Sequence, residues 1–133
     1  MTREQVEARI AERPEMCQEW VSAYPLGDDE GMFYLSSIVD GPERIGTVHI
    51  YIWSRGSMRN CATASKVAFD MMREERLDRL VGEVEVSNTL ALRWASKVGF
   101  HTIGTVRQRK DGDGNFHDVI LFDALPGDLK WEH

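Results

Sequence analysis

Hydrophobic positions recur along the chain with two different periods. In residues 2–12, Val6 and Ile10 sit at helical spacing among charges, with Arg13 continuing the row and Thr2 placed as N-cap. Pro14 gives up no hydrogen bond at a first helical position. After it, Met16, Cys17, Trp20 and Val21 recur at intervals of three and four until Pro25-Leu26-Gly27-Asp28-Asp29 ends the segment. Two amphipathic helices are predicted there. From Met32 to Val39 the residues are β-formers, Asp40-Gly41-Pro42-Glu43 is turn chemistry, and Ile45 to Trp53 alternates. Val48, Ile50 and Ile52 share one face of that return strand, and His49, Tyr51 and Trp53 the other.

A small, basic stretch, SRGSMRN, then interrupts the pattern, and Ser57 or Asn60 can cap a helix carrying Ala64, Val67, Ala68, Met71 and Met72. Leu80 to Val86 reads as a short strand. Ser87 or Asn88 caps a further helix through Val98, with Gly99 as the glycine that ends it. A closing hairpin, Thr102 to Arg109 and Phe116 to Leu125, turns at KDGDGN. The expected order is ααββαβαββ, a mixed α/β (α+β) architecture in one domain spanning residues 1–133. If the strand Phe116 to Leu125 is an exposed edge, it offers β-pairing for a homodimer.

Composition narrows the function classes. The chain has 133 residues with 42% hydrophobic content, ordinary for one core. Its formal charge is −6, from 16 basic and 22 acidic residues, so no global positive field favours nucleic acid or an anionic membrane. No apolar run approaches the ~20 residues of a bilayer span, and Met1-Thr2-Arg3-Glu4-Gln5 lacks the apolar core of a secretory signal. A cytoplasmic protein is expected. Two cysteines, Cys17 and Cys61, form no CxxC or Cys/His cluster and read as reduced thiols with no zinc site.

Residues 84–100, VEVSNTLALRWASKVGF, followed by HTIGTVRQRKDGDGNFHDVILFDAL, resemble the C-terminal half of the GNAT superfamily of N-acetyltransferases. The likeness is closest to its ribosomal-protein and protein-N-terminus acetylating subgroup. Asn88, Ala91, Lys97, Gly99, Phe100, Gly104, Arg107, Gly112 and Asp118 stand at the family's spacings. The resemblance implies a mostly antiparallel central sheet flanked by helices, acetyl-CoA as co-substrate, and a primary amine as acceptor. That amine would belong to a protein, as Lys or N-terminus, or to a small molecule.

It also implies a phosphate-wrapping loop with Arg/Gln-x-x-Gly-x-Gly/Ala, because several backbone N–H groups and a helix N-terminus must face one dianionic group. The residues in that place are Arg55, Gly56, Ser57, Met58, Arg59, Asn60, Cys61 and Ala62, with Asn88 and Lys97 as further cofactor contacts. No register matches the pattern in full: Arg55-x-x-Met58-x-Asn60 puts Met at the glycine, Ser57-x-x-Asn60-x-Ala62 puts Asn there, and Arg59-x-x-Ala62-x-Ala64 puts Ala there. A non-glycine residue forced to positive φ costs about 1–2 kcal/mol, which charge-assisted bonds from Arg55 and Arg59 to phosphate offset in part.

The strand count departs as well. The family has a strand before its first helices and separate third and fourth strands before the phosphate loop, whereas only two strands are predicted here ahead of SRGSMRN. One strand is therefore expected to be missing. Were it the fourth, the splay that receives the pantetheine arm would be built differently or not at all.

Acetyl transfer needs a neutral amine, a polarised thioester and a proton for the departing thiolate. Candidate bases are His49, then Glu83 and Glu85, which alternation places on one side of their strand. Each also has a plain structural reading: His49 as packing beside Tyr51 and Trp53, the two glutamates as a solvated face. The family's Tyr general acid falls at Ala95. Against the enzyme stands a catalytically inactive GNAT-fold protein that acts by binding another protein.

Overall fold

The structure is a computed structural model that describes residues 21–26, 31–52 and 61–129, with the backbone alone for 51 and 52, and Glu4, Gln5 and Ala8 as helix. Those three residues fall within the helix expected over 2–12, while the second expected helix, after Pro14, lies outside the described residues up to Val21. Six strands and two helices follow: β1 (Ser22–Leu26), β2 (Gly31–Asp40), β3 (Arg44–Ile52), α1 (Cys61–Glu74), β4 (Arg79–Glu85), α2 (Thr89–Val98), β5 (His101–Lys110) and β6 (Phe116–Ala124). They form one sheet in the order β1-β2-β3-β4-β6-β5.

The first correction to the sequence reading is β1. Ser22–Leu26 was expected to end a helix and begin a turn, yet it pairs antiparallel with β2 from Ser22↔Leu35 to Leu26↔Gly31. Pro25 suits this place because β1 is an edge strand, where the missing N–H interrupts no central ladder. Three strands therefore precede the loop and α1, and the described order is βββαβαββ. A second correction concerns the far edge: β6 is paired on both sides, with β4 and with β5, so the free edge is β5.

One face of the sheet carries the core. Tyr24, Phe33, Leu35, Val48 and Leu80 cluster with Ala64, Ala68, Met71 and Met72 of α1 and with Trp94, Ala95 and Val98 of α2. The α1 positions are among those the 3.6-residue period selected, and each large side chain removed from water contributes about 1.5–3 kcal/mol. The two helices are locked together by Ser65, whose buried Oγ donates to the Val98 carbonyl at 2.6 Å. Met32 and Tyr34, on the opposite face of β2, are buried too. Under the sheet, the Tyr24 hydroxyl donates to Glu75 at 3.1 Å; burial first, and the Glu75 charge second, push its ionisation far up.

All strand pairs are antiparallel except β3 and β4, which α1 joins as a parallel crossover. Their pairing lasts only three rungs: Ile45↔Arg79, Gly46↔Leu80 and Thr47↔Val81. The closed end is tied from several directions. Asp78 N donates to the Arg44 carbonyl and Arg44 N to the Asp78 carboxylate, both at 2.8 Å. Arg79 binds Glu43 at 2.9 Å and also the buried Asp123. A Cβ on Gly46 at this junction would come within 2.7 Å of Leu77 Cδ1 and 3.1 Å of Leu35 Cδ2, so those two side chains would have to shift.

Candidate functional site

Past Thr47 and Val81 the two parallel strands part. Beyond this point β4 remains bonded to β6 as far as Glu85↔Val119, while its other edge no longer pairs with β3. Gly82 stands where the strands part: a Cβ there would meet the Val48 carbonyl oxygen at 3.2 Å. The gap opens into a cleft of about 530 Å³ lined by Val48, His49 and Ile50 of β3, Gly82 to Glu85 of β4, Asn88, and Leu90, Ala91, Trp94 and Ala95 of α2, with Phe100 and Phe122. The splay that a missing fourth strand would have removed is thus present, and β1 makes up the strand count that the sequence reading lacked.

All three candidate bases line this cleft. His49 is held from two sides. Its ring stacks on Tyr34 with centroids 4.7 Å apart and planes 12° from parallel, and its Nε2 lies 2.9 Å from Ser36 Oγ. Ser36 reaches the ring through a β-bulge: Leu35 pairs with Val48 and Ser37 with Thr47, so Ser36 is the extra residue. Burial lowers the His49 pKa below 6.5, with the Glu83 charge opposing, so the ring is neutral at pH 7. Of the carboxylates, Glu83 is ion-paired to Arg109 of β5. Glu85, the last residue of β4, faces His117 Nδ1 at 3.8 Å.

The sign for His49 follows from burial. As pH falls through ~6.5 the unfolded chain binds the proton first, so stability declines there and levels off once the folded ring is protonated as well. The wild type therefore loses more melting temperature between pH 7.5 and pH 5 than His49→Gln does. Equal losses in the two proteins, measured by thermal unfolding, overturn a buried neutral ring.

The expected cofactor residues are split by the described range. Arg55, Gly56, Ser57, Met58, Arg59 and Asn60 lie outside it. Cys61 and Ala62 form the first residues of α1, and the Cys61 side chain is half-buried. Asn88 lines the cleft and caps α2, its Oδ1 accepting from Ala91 N at 3.2 Å. Lys97 sits exposed in the last turn of α2 and does not line the cleft. Ala95, standing where the resemblance expects Tyr, is buried and presents no acid to the cleft.

Several participants escaped the sequence reading. Trp94 is buried in the cleft wall, and its Nε1 has no partner among the described residues. Arg109 is aimed at Glu83 by a second bulge, in which Gln108 adopts φ +54° and its N–H donates to Asp118 at 2.8 Å. This contact explains the Asp118 of the resemblance: its carboxylate holds the bulge. No periodicity announces such a bulge, since it lies between two otherwise alternating strands.

No protein-family model and no curated protein matches the chain. Solved structures do. RimJ from Mycobacterium smegmatis, in complex with CoA-disulfide, matches with TM-score 0.68 and 16% identity over 96% of this chain and 62% of its own. Ribosomal-protein-S5-alanine acetyltransferase from Vibrio fischeri gives 0.62 and 19%, covering 78% and 57%. A mutant of spermidine N-acetyltransferase SpeG from Vibrio cholerae gives 0.67 and 15%, covering 93% and 75%. The chain has the fold of the GNAT acetyltransferases. It spans about three fifths of the length of the first two of these structures. Among the described residues no helix is long and apolar enough to cross a membrane.

Proposed function

We propose that the chain is an N-acetyltransferase that moves an acetyl group from acetyl-CoA to a primary amine. The observation that carries this reading is the parting of β3 and β4 after three rungs, which leaves strand edges and three proton-accepting side chains around one cleft. Such a gap suits an extended thioester arm: unpaired strand N–H groups replace the lost ladder bonds with bonds to amide and thioester carbonyls. Apolar walls from Val48, Trp94 and Phe122 exclude water along the way. Neighbours of this fold act on a ribosomal protein or on spermidine by their names, and acceptors of both kinds, a protein amine and a small amine, belong to the proposal.

The geometry supports the following roles. His49 and Glu85 are the cleft groups placed to take a proton from the acceptor ammonium, whereas Glu83 serves to hold Arg109 and orient the cleft rim. Arg55 and Arg59, which precede α1 in the sequence, supply charge for the pyrophosphate. Calorimetric titration with acetyl-CoA and CoA tests this, repeated on Arg55→Ala and Arg59→Ala. Micromolar binding, weakened about tenfold in at least one variant, is expected, a loss of about 1.4 kcal/mol. Absence of heat and of thermal stabilisation at millimolar ligand overturns the enzyme and leaves a protein-binding GNAT fold. Undiminished binding in both variants removes the phosphate role from the two arginines.

A further inference from the structure

Beside the cleft runs a second groove, lined by Val86, Ser87, Gln108, Phe116, His117 and Asp118. His117 belongs to this groove, yet its ring also faces Glu85 of the cleft, so it is the side chain that joins the two. Its Nε2 lies 2.6 Å from Asp111 Oδ2. The other oxygen of Asp111 accepts the backbone N–H groups of Asp113 and Asn115, each at 2.9 Å. Those bonds, the Asn115 amide foremost, hold the Asp111 carboxyl below its usual range. The turn sequence KDGDGN thus anchors a carboxylate, and the carboxylate fixes an imidazole.

We infer that Asp111, His117 and Glu85 form a proton-carrying chain from the open end of the cleft to the β5–β6 turn, with His117 as the positioning residue behind Glu85. The inference rests on the acyl-transfer reading above. In the Nε2–H tautomer, with that proton given to Asp111, His117 turns its Nδ1 lone pair toward the Glu85 carboxylate, 3.8 Å away. Glu85 acquires a proton when it takes one from the acceptor ammonium, and the facing Nδ1 is placed to receive it. The separation exceeds an N–H···O bond of ~3.0 Å, and rotation of the half-exposed Glu85 side chain closes it.

The neighbouring charges leave this path open. Glu83 is occupied by Arg109, and Asp118 receives the Gln108 amide. Across the cleft, His49 is turned to Ser36. Lys110 and Arg107 stand exposed on β5.

The step balances. The ammonium loses one proton to Glu85 and thence to His117 Nδ1. The freed nitrogen lone pair forms the bond to the acetyl carbon, and the carbon–sulfur bond breaks with its electron pair on sulfur. The second nitrogen proton goes to that sulfur, giving the thiol and the amide, and the imidazolium returns its proton to water.

Three measurements on the full chain test the chain of contacts. Histidine ¹⁵N spectra of the wild type are expected to show His117 as the Nε2–H tautomer, and those of Asp111→Asn a mixture. His117→Ala is expected to lower kcat for amine acetylation about tenfold without changing KM for acetyl-CoA, and added imidazole to restore the rate. Asp111→Asn, which keeps the ring in place, is expected to lose rate in the same direction. An Nδ1–H tautomer in the wild type overturns the inference whatever the activity. So does a His117→Ala enzyme that is fully active or deaf to imidazole, and in that case acyl transfer itself stands. A wild type that neither binds nor uses acetyl-CoA sinks both.

Discussion

Trp94→Ala is expected to destabilise the protein by about 3–5 kcal/mol, the range for emptying a buried aromatic site. Trp94 is 4% exposed and stacks on Phe33 with ring centroids 6.0 Å apart, so its loss strips a face from the most buried aromatic of the sheet. α2 is short, ten residues, and cannot stay helical without its apolar face docked. The melting temperature should fall by more than 10 °C. Trp94→Phe separates packing from polarity. The indole N–H has no partner among the described residues, and a buried unsatisfied donor costs about 1–3 kcal/mol. Phe removes that cost while leaving only part of the cavity, so its net effect is expected within about 1 kcal/mol of wild type. If Phe proves as damaging as Ala by urea denaturation, the indole N–H makes a bond that matters.

Gly99→Ala is expected to cost about 3 kcal/mol, for two independent reasons. Gly99 closes α2 with φ +126°, a conformation L side chains rarely adopt, and such strain costs of order 1–3 kcal/mol. A Cβ at this position also falls against the Asp128 carbonyl, closer than real Cβ atoms come to any backbone. Asp128 cannot retreat freely: its carboxylate accepts the Leu125 N–H at 2.8 Å and Leu129 beside it is buried in the core. Gly112 is the control, since it has open space around it and no positive φ. Gly112→Ala should leave the melting temperature within about 2 °C of wild type. A Gly99→Ala protein as stable as Gly112→Ala overturns the packing of residues 125–129 against the end of α2.

Much of this fold could be read along the chain. The period-2 run of β3, the 3.6 period of α1, the Asn88 cap and Gly99 stop of α2, and the KDGDGN turn are local devices, each decided within a few residues of itself. Glu83 and Glu85 were legible as a pair for the same reason, because strand alternation alone puts them on one side. Their different fates were not. Arg109 neutralises one and His117 faces the other, and both partners arrive from β5 and β6, more than twenty residues away.

What the sequence by itself determined is therefore the set of elements with strong periodicity, the caps and turns between them, and the chemical types available for a site. The tertiary structure alone decided three things. Ser22–Leu26 is a strand because β2 offers it an edge, although five residues containing Pro25 carry no strong strand signal. β3 and β4 part after Thr47↔Val81, a separation that no residue pattern encodes. The bulges at Ser36 and Gln108 turn single side chains toward His49 and Glu83. Local signals reach a few residues; the cleft is made where elements distant in sequence meet, and only their packing fixes which groups share it.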